Sequence, residues 1–252
     1  MDLLFVCAAS LLAGLIDAIV GGGGLVLVPA LFATFPNAPA ATLLGTNKSA
    51  SVWGTAMATA QYARRVQLRW PALGPAAAVA FLGSLAGAWT VTQTSGEALR
   101  KLLPLVLLLL MVYTLSRKEL GRHHAPPASR RHETGVACAI AAAIGWYDGF
   151  FGPGAGSFFI FLFVRFLGYD FLNASAAAKL LNVATNVSAL MLFASKGHVW
   201  WQIGLAMAVA NVAGSLLGTR LALRHGTGFV RGAFIAVVGA LILKTGYDAY
   251  LR

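Results

Sequence analysis

Residues 145–161 read GWYDGFFGPGAGSFFIF. Nearly every residue is apolar or glycine, yet Asp148 sits inside the run and Gly152-Pro153-Gly154 interrupts it. Proline and adjacent glycines end a helix, because proline lacks the amide proton and glycine carries the largest backbone entropy. A second stretch has the same design. GLIDAIVGGGGLVLVPAL (14–31) places Asp17 four residues before Gly21, the first of four consecutive glycines. Each of these costs roughly 1 kcal/mol relative to alanine in a helix interior.

The rest of the chain gives these breaks their setting. Of 252 residues, 58% are hydrophobic and 11% are charged, against about 25% charged in soluble domains. Between Leu3 and Ala63 the only charges are Asp17 and Lys48; between Phe171 and Ser195 the only one is Lys179; residues 70–96 and 199–219 carry none. Runs of about 20 apolar residues are long enough to cross a bilayer. In lipid the backbone must satisfy its own hydrogen bonds. The expected fold class is therefore all-α, a polytopic membrane protein of 8–10 membrane helices, some broken by glycine. The net charge of +11 does not point to nucleic acid. The basic residues lie between apolar spans (Arg64, Arg65, Arg69; 117–131), where the positive-inside rule puts them. The N-terminus has no basic region of the signal-peptide kind. Two cysteines, Cys7 and Cys138, do not make a disulfide framework and read as small buried hydrophobes.

The chain aligns with itself at an offset of 131. Asp17 falls on Asp148, Lys48 on Lys179, Cys7 on Cys138, Trp70 on Trp201, and GSLAG (83–87) on GSLLG (214–218). The reading is two homologous halves, residues 1–116 and 134–252, joined by a polar cytoplasmic linker, 117–133. Each half is expected to hold a span near 3–20, a short apolar piece near 25–35, and spans near 42–62, 70–92 and 98–116. Loop charge favours an inverted repeat over a parallel one: inversion puts Arg220, Arg224 and Arg231 on the cytoplasmic side and Lys196 outside. The small-xxx-small patterns at 83–87 and 214–218 read as helix-packing faces.

A helix that restarts inside a membrane exposes its first amides and the positive end of its dipole, a natural place for an anion. The candidate substrate ligands are Gly21, Gly22, Gly23 and Gly24 in the first half and Gly152, Gly154, Gly156 and Ser157 in the second. Lys48, with Asn47 and Ser49, and Lys179, with Asn182 and Asn186, add charge and hydrogen-bonding groups. A lysine inside a span costs about 2.5–3.5 kcal/mol on insertion scales, so two at equivalent places suggest a use. Glycines packing helices tightly and lysines snorkelling from helix ends are the plainer alternatives. Asp17 and Asp148 have three readings: pairing with the lysines, carrying a proton, or bracing the broken backbone. No metal-ligand set, no nucleophile–base pair and no cofactor motif is visible. The expected partners are a small anionic substrate and the lipid bilayer; a homo-oligomer is left open.

These motifs resemble a known family. YDGFFGPGAGSFFIF followed by LGYDFLNASAAAKLLNVATN, and GGGGLVLVPAL followed by GTNKSAS, look like the paired signatures of the sulfite exporter TauE/SafE family. The resemblance implies a multi-pass protein of the bacterial inner membrane that moves anionic sulfur compounds such as sulfite, thiosulfate or organosulfonates. It maps the first motif on Gly21–Gly24, Pro29, Gly45, Thr46 and Lys48, and the second on Gly152, Pro153, Gly154, Gly156 and Lys179. Ile160 stands opposite Pro29 and Ala178 opposite Asn47, so the two half-sites are not chemically equal.

Overall fold

The structure is a computed structural model describing residues 2–93, 125–127 and 129–250, with side chains described through most of the chain up to residue 236. The expected span at 98–116 and most of the linker lie outside the described residues. Among the described residues the chain is all helix. The helices are α1 (Asp2–Val20), α2 (Gly24–Thr34), α3 (Ala40–Ala63), α4 (Trp70–Val91), α5 (Arg130–Phe150), α6 (Ala155–Leu167), α7 (Phe171–Ser195) and α8 (Trp201–Tyr250). A non-helical Gly226 (φ 72°) breaks α8.

Among the described residues, four segments are long and apolar enough to cross a membrane: Asp2–Val20, Trp70–Val91, Phe171–Ser195 and Trp201–Val230. α3 and α5 have 24 and 21 residues but carry the polar stretch 45–51 and the charged turn Arg130–Glu133. α2 and α6, with 11 and 13 residues, reach about 16 and 20 Å at 1.5 Å per residue, short of a bilayer core of about 30 Å.

The duplication is visible in the element starts. α2, α3 and α4 begin at residues 24, 40 and 70; α6, α7 and α8 begin at 155, 171 and 201, a constant separation of 131. Local chemistry sets several boundaries. Ser129 accepts from the His132 amide and starts α5 inside the stretch read as linker. Asp170 accepts from the Asn173 amide at 2.8 Å and starts α7. Gly168, left-handed at φ 63°, closes α6 with its amide on Phe163 O.

Both broken segments are hairpins. Leu27 and Leu31 of α2 share a cluster with Val6, Ala9 and Ala13 of α1, so α2 runs back along α1. Phe159, Phe163 and Leu167 of α6 share one with Ala137, Ile140 and Ala141 of α5. The hairpin tips meet: Ser157 N donates to Gly21 O at 3.1 Å and Ser157 Oγ to Val20 O at 2.8 Å. Gly21 and Gly152 hold φ of 76° and 94°, left-handed values that cost glycine nothing and an L side chain a kcal/mol or more.

The halves interlock rather than lie side by side. α1 of the first half packs along α8 of the second, and α5 of the second along α4 of the first. Both contacts are backbone-close and use the predicted packing faces. A Cβ on Gly214 or Gly218 would strike the Leu11 or Leu15 carbonyl, and one on Gly87 the Trp146 carbonyl. α3 and α7 face each other at the centre. Gly45 lies beside Phe193, Lys48 bonds Asn186, and Thr55 shares Asp17 with Lys179. The pairings step forward along α3 and backward along α7, so these equivalent helices run in opposite directions.

Candidate functional site

Where the hairpin tips meet the central helices, a small cavity forms. It is lined by Ala13, Asp17, Gly21, Gly23, Gly24, Asn47, Lys48, Ser51, Thr55, Asp148, Gly152, Gly156, Asn182, Asn186 and Asn211. About 30 Å³ of it is open to the centre of a water molecule, room for roughly two waters at 10–15 Å³ each.

Of the residues expected from the sequence, Gly21, Gly23, Gly24, Asn47, Lys48, Gly152, Gly156, Asn182 and Asn186 come together here with both aspartates. Gly22, Ser49, Gly154, Ser157 and Lys179 lie off the lining. Ser49 Oγ is used on Thr46 O at 2.8 Å and Ser157 Oγ on Val20 O. Lys179 is fully buried behind Asp17. Asn211 was not expected. It sits in the middle of the first span of α8, and its Nδ2 donates to Ser10 O at 3.0 Å. An amide far from the ends of an uncharged 21-residue run was its only sequence signal.

The aspartates resolve into ion pairs, and each pair joins the two halves. Lys48 Nζ lies 2.8 Å from Asp148 Oδ1, and Lys179 Nζ 3.1 Å from Asp17 Oδ2. Because 48 corresponds to 179 and 17 to 148, the two bridges are equivalent, each lysine reaching across to the other half's carboxylate. The two are not equal in surroundings. Lys48 also donates to Asn186 Oδ1 at 3.0 Å and faces the cavity. Asp17 also accepts from Thr55 Oγ1 at 3.4 Å, and its side chain stays 18% exposed while that of Asp148 is 6% exposed.

The helix ends differ from a simple ring of free donors. The amides of Leu25, Val26 and Leu27 close on Gly22 O and Gly23 O, and those of Ala155, Ser157 and Phe158 on Gly152 O, Gly21 O and Gly154 O. The amides of Gly22, Gly23, Gly24, Gly154 and Gly156 donate to no acceptor among the described residues, and of these residues Gly23, Gly24 and Gly156 line the cavity. The site therefore offers one cavity-facing ammonium, two helix N-termini and several side-chain amides. Two carboxylates balance the two lysines, so the formal charge around the cavity is zero.

The sulfite exporter TauE/SafE family matches residues 6–245. The chain belongs to that family. Among relatives of this TauE/SafE member is the "Probable membrane transporter protein YfcA" of Escherichia coli (strain K12). It is 36% identical over 243 residues, covering 96% of this chain and 88% of that protein. The "Probable membrane transporter protein ORF9" of Sinorhizobium sp is 34% identical over 242 residues, covering 96% and 91%. A "Probable membrane transporter protein" of Haemophilus influenzae is 30% identical over 249 residues, covering 98% and 96%. No solved structure gives a significant match. Family, relatives and apolar helices together make this a multi-pass membrane transporter.

Proposed function

We propose that the protein is a secondary transporter of the bacterial inner membrane that exports a small sulfur-containing oxyanion, such as sulfite or an organosulfonate, by alternating access. The observation that carries the reading is the pair of equivalent Lys–Asp bridges that join the halves over a polar cavity. An oxyanion has four or more heavy atoms and does not fit a space for two waters. Its binding therefore needs the halves to part around it. Parting them strains Lys48–Asp148, and the anion takes the place of the carboxylate at Lys48. The amides of Gly23, Gly24 and Gly156 supply further donors at the positive ends of α2 and α6. A ligand can shift a conformational balance only by binding the two states differently; exchange of ion-pair partners provides that difference.

Orientation follows from charge. Arg64, Arg65 and Arg69 lie at the same end of the bundle as Glu133, which Arg69 grips at 2.8 Å. Val66, Leu167 and Ala222 belong to one hydrophobic cluster, and Arg165, Arg220 and Arg224 lie within two residues of Leu167 and Ala222. The positive-inside rule makes this end cytoplasmic, with the two halves inserted in opposite senses. An inside-negative potential then drives an anion outward by about 2.3 kcal/mol per charge per 100 mV, so export needs no coupling ion.

The test is flux in liposomes holding purified protein, with sulfite, thiosulfate, sulfoacetate, sulfate and chloride under an imposed potential. Potential-driven flux of one sulfur anion that Lys48→Ala abolishes is the expected result. Wild-type rates in both Lys48→Ala and Lys179→Ala would overturn the site. A second reading, cation-coupled anion uptake, is favoured by one observation: two carboxylates, Asp17 and Asp148, line the cavity with one ammonium, Lys48.

A further inference from the structure

Three buried side-chain oxygens have no hydrogen-bond partner among the described residues: Asn47 Oδ1, Asn182 Oδ1 and Asp148 Oδ2. All three residues line the same cavity, and each is at least 94% buried. A buried acceptor left unpaired costs about 1–3 kcal/mol, more for a charged one. Three together, with one carrying negative charge, give this part of the lining a surplus of acceptor oxygens. Lys48 gives two of its three protons to other oxygens, Asp148 Oδ1 and Asn186 Oδ1. The backbone adds to the negative side: Asp148 stands in the last turn of α5 and Asp17 in that of α1, where the helix dipole is negative.

We propose that Asn47 Oδ1, Asn182 Oδ1 and Asp148 Oδ2 form a binding site for a small monovalent cation, with Na⁺ as the ion that fits. The donors are all hard oxygens, which suit s-block cations rather than zinc or copper. The space takes about two waters, enough for one partly dehydrated ion and a remaining water. One carboxylate already shared with a lysine leaves charge for a monovalent ion and not for a divalent one. The asymmetry of the halves supports a single site. Asn47 is matched by Ala178 and Asn182 by Ser51, so this set has no second copy.

The consequence for transport rests on the reading of this cavity as the anion site. A cation on Asp148 Oδ2 draws charge from the carboxylate and weakens its hold on Lys48, which frees the ammonium for the anion. Cation and anion then bind with positive coupling, and each must raise the other's affinity by the same factor.

The experiment is thermal unfolding of the purified full-length protein in detergent, in NaCl against choline chloride at fixed ionic strength, with no sulfur anion present. The expected result is a saturable, Na⁺-specific rise in midpoint, with the half-saturating concentration raised at least tenfold in Asn182→Ala and the response lost in Asp148→Asn. Equal midpoints in Na⁺ and choline for the wild type overturn the site without any variant being made. A Na⁺ response that survives in both variants also overturns it. Asn182→Ser keeps an oxygen and should fall between wild type and alanine, which guards against a fold defect in Asn182→Ala. Sulfite titrated at saturating Na⁺ should then bind roughly 5–150-fold tighter than in choline. A Na⁺ response without flux of any sulfur anion keeps the cation site and removes the transport substrate; flux without a Na⁺ response does the reverse.

Discussion

Replacing Lys48 by methionine removes the ammonium and keeps most of the side-chain volume. Asp148 then keeps a carboxylate with a side-chain exposure of only 6% and no cation beside it, and Asn186 Oδ1 loses its donor. Removing one partner of a buried pair costs about 3–5 kcal/mol, because the other charge is left uncompensated. A chain of this size shifts its midpoint by about 2–4 °C per kcal/mol, so Lys48→Met should lower it by roughly 6–20 °C. The double variant Lys48→Met/Asp148→Asn has no stranded charge and should recover most of the loss. The assay is a double-mutant cycle by thermal unfolding in detergent, with retention of helix content as the folding control. Lys179→Met should cost less than Lys48→Met, since Asp17 keeps contact with water and the Thr55 hydroxyl. A Lys48→Met midpoint within about 2 °C of wild type, or a double variant whose loss equals the sum of the singles, would refute the cross-half bridge.

Two further outcomes follow from the packing and from the cytoplasmic end. Gly21→Ala combines a left-handed φ of 76° with a Cβ directed at the Gly156–Ser157 peptide; it should lower the yield of folded protein and abolish flux, while Gly74→Ala, whose Cβ meets nothing within 4 Å, should be neutral in both. At the α6–α7 turn, burial first and then the hydrogen bond to Glu133 push the Tyr169 hydroxyl above its ordinary range, against an opposing pull from Arg69. A raised folded pKa gives stability that is complete below the unfolded value of about 10 and is lost as pH rises past it. Unfolding followed from pH 9 to 12 should therefore fall more steeply in wild type than in Tyr169→Phe, and parallel curves would remove Tyr169 from the account.

Much of the site was open to reading because its signals are rare in their surroundings. Asp17, Lys48, Asp148 and Lys179 are the only charges in long apolar spans, and each recurs at one offset. Gly-Pro-Gly and four glycines leave few backbone options. Of the residues named from the two helix starts, Gly23, Gly24 and Gly156 line the cavity, while Ser157 gives its amide and hydroxyl to the tip of α1 and Gly154 O accepts from Phe158 N. A helix start shows in sequence; whether its amides are already taken by a neighbouring carbonyl does not. Asn211 escaped because an amide that has no counterpart at the offset of 131, where Ala80 stands, carries no pattern.

By itself the sequence determined that the chain is a helical membrane protein, that it is duplicated, and where each half breaks. Those properties follow from local composition and from comparison of the chain with itself. Which carboxylate each lysine meets was decided only by the tertiary structure. Spacing along the chain offers Asp17 and Lys48 as natural partners, 31 positions apart in the same half. The fold pairs them across halves because α3 and α7 pack face to face in opposite directions, and because each hairpin tip reaches the other half's central helix. Ion pairing is short-ranged, so the choice belongs to whichever charge the packing brings within about 3 Å, and here packing crosses the repeat.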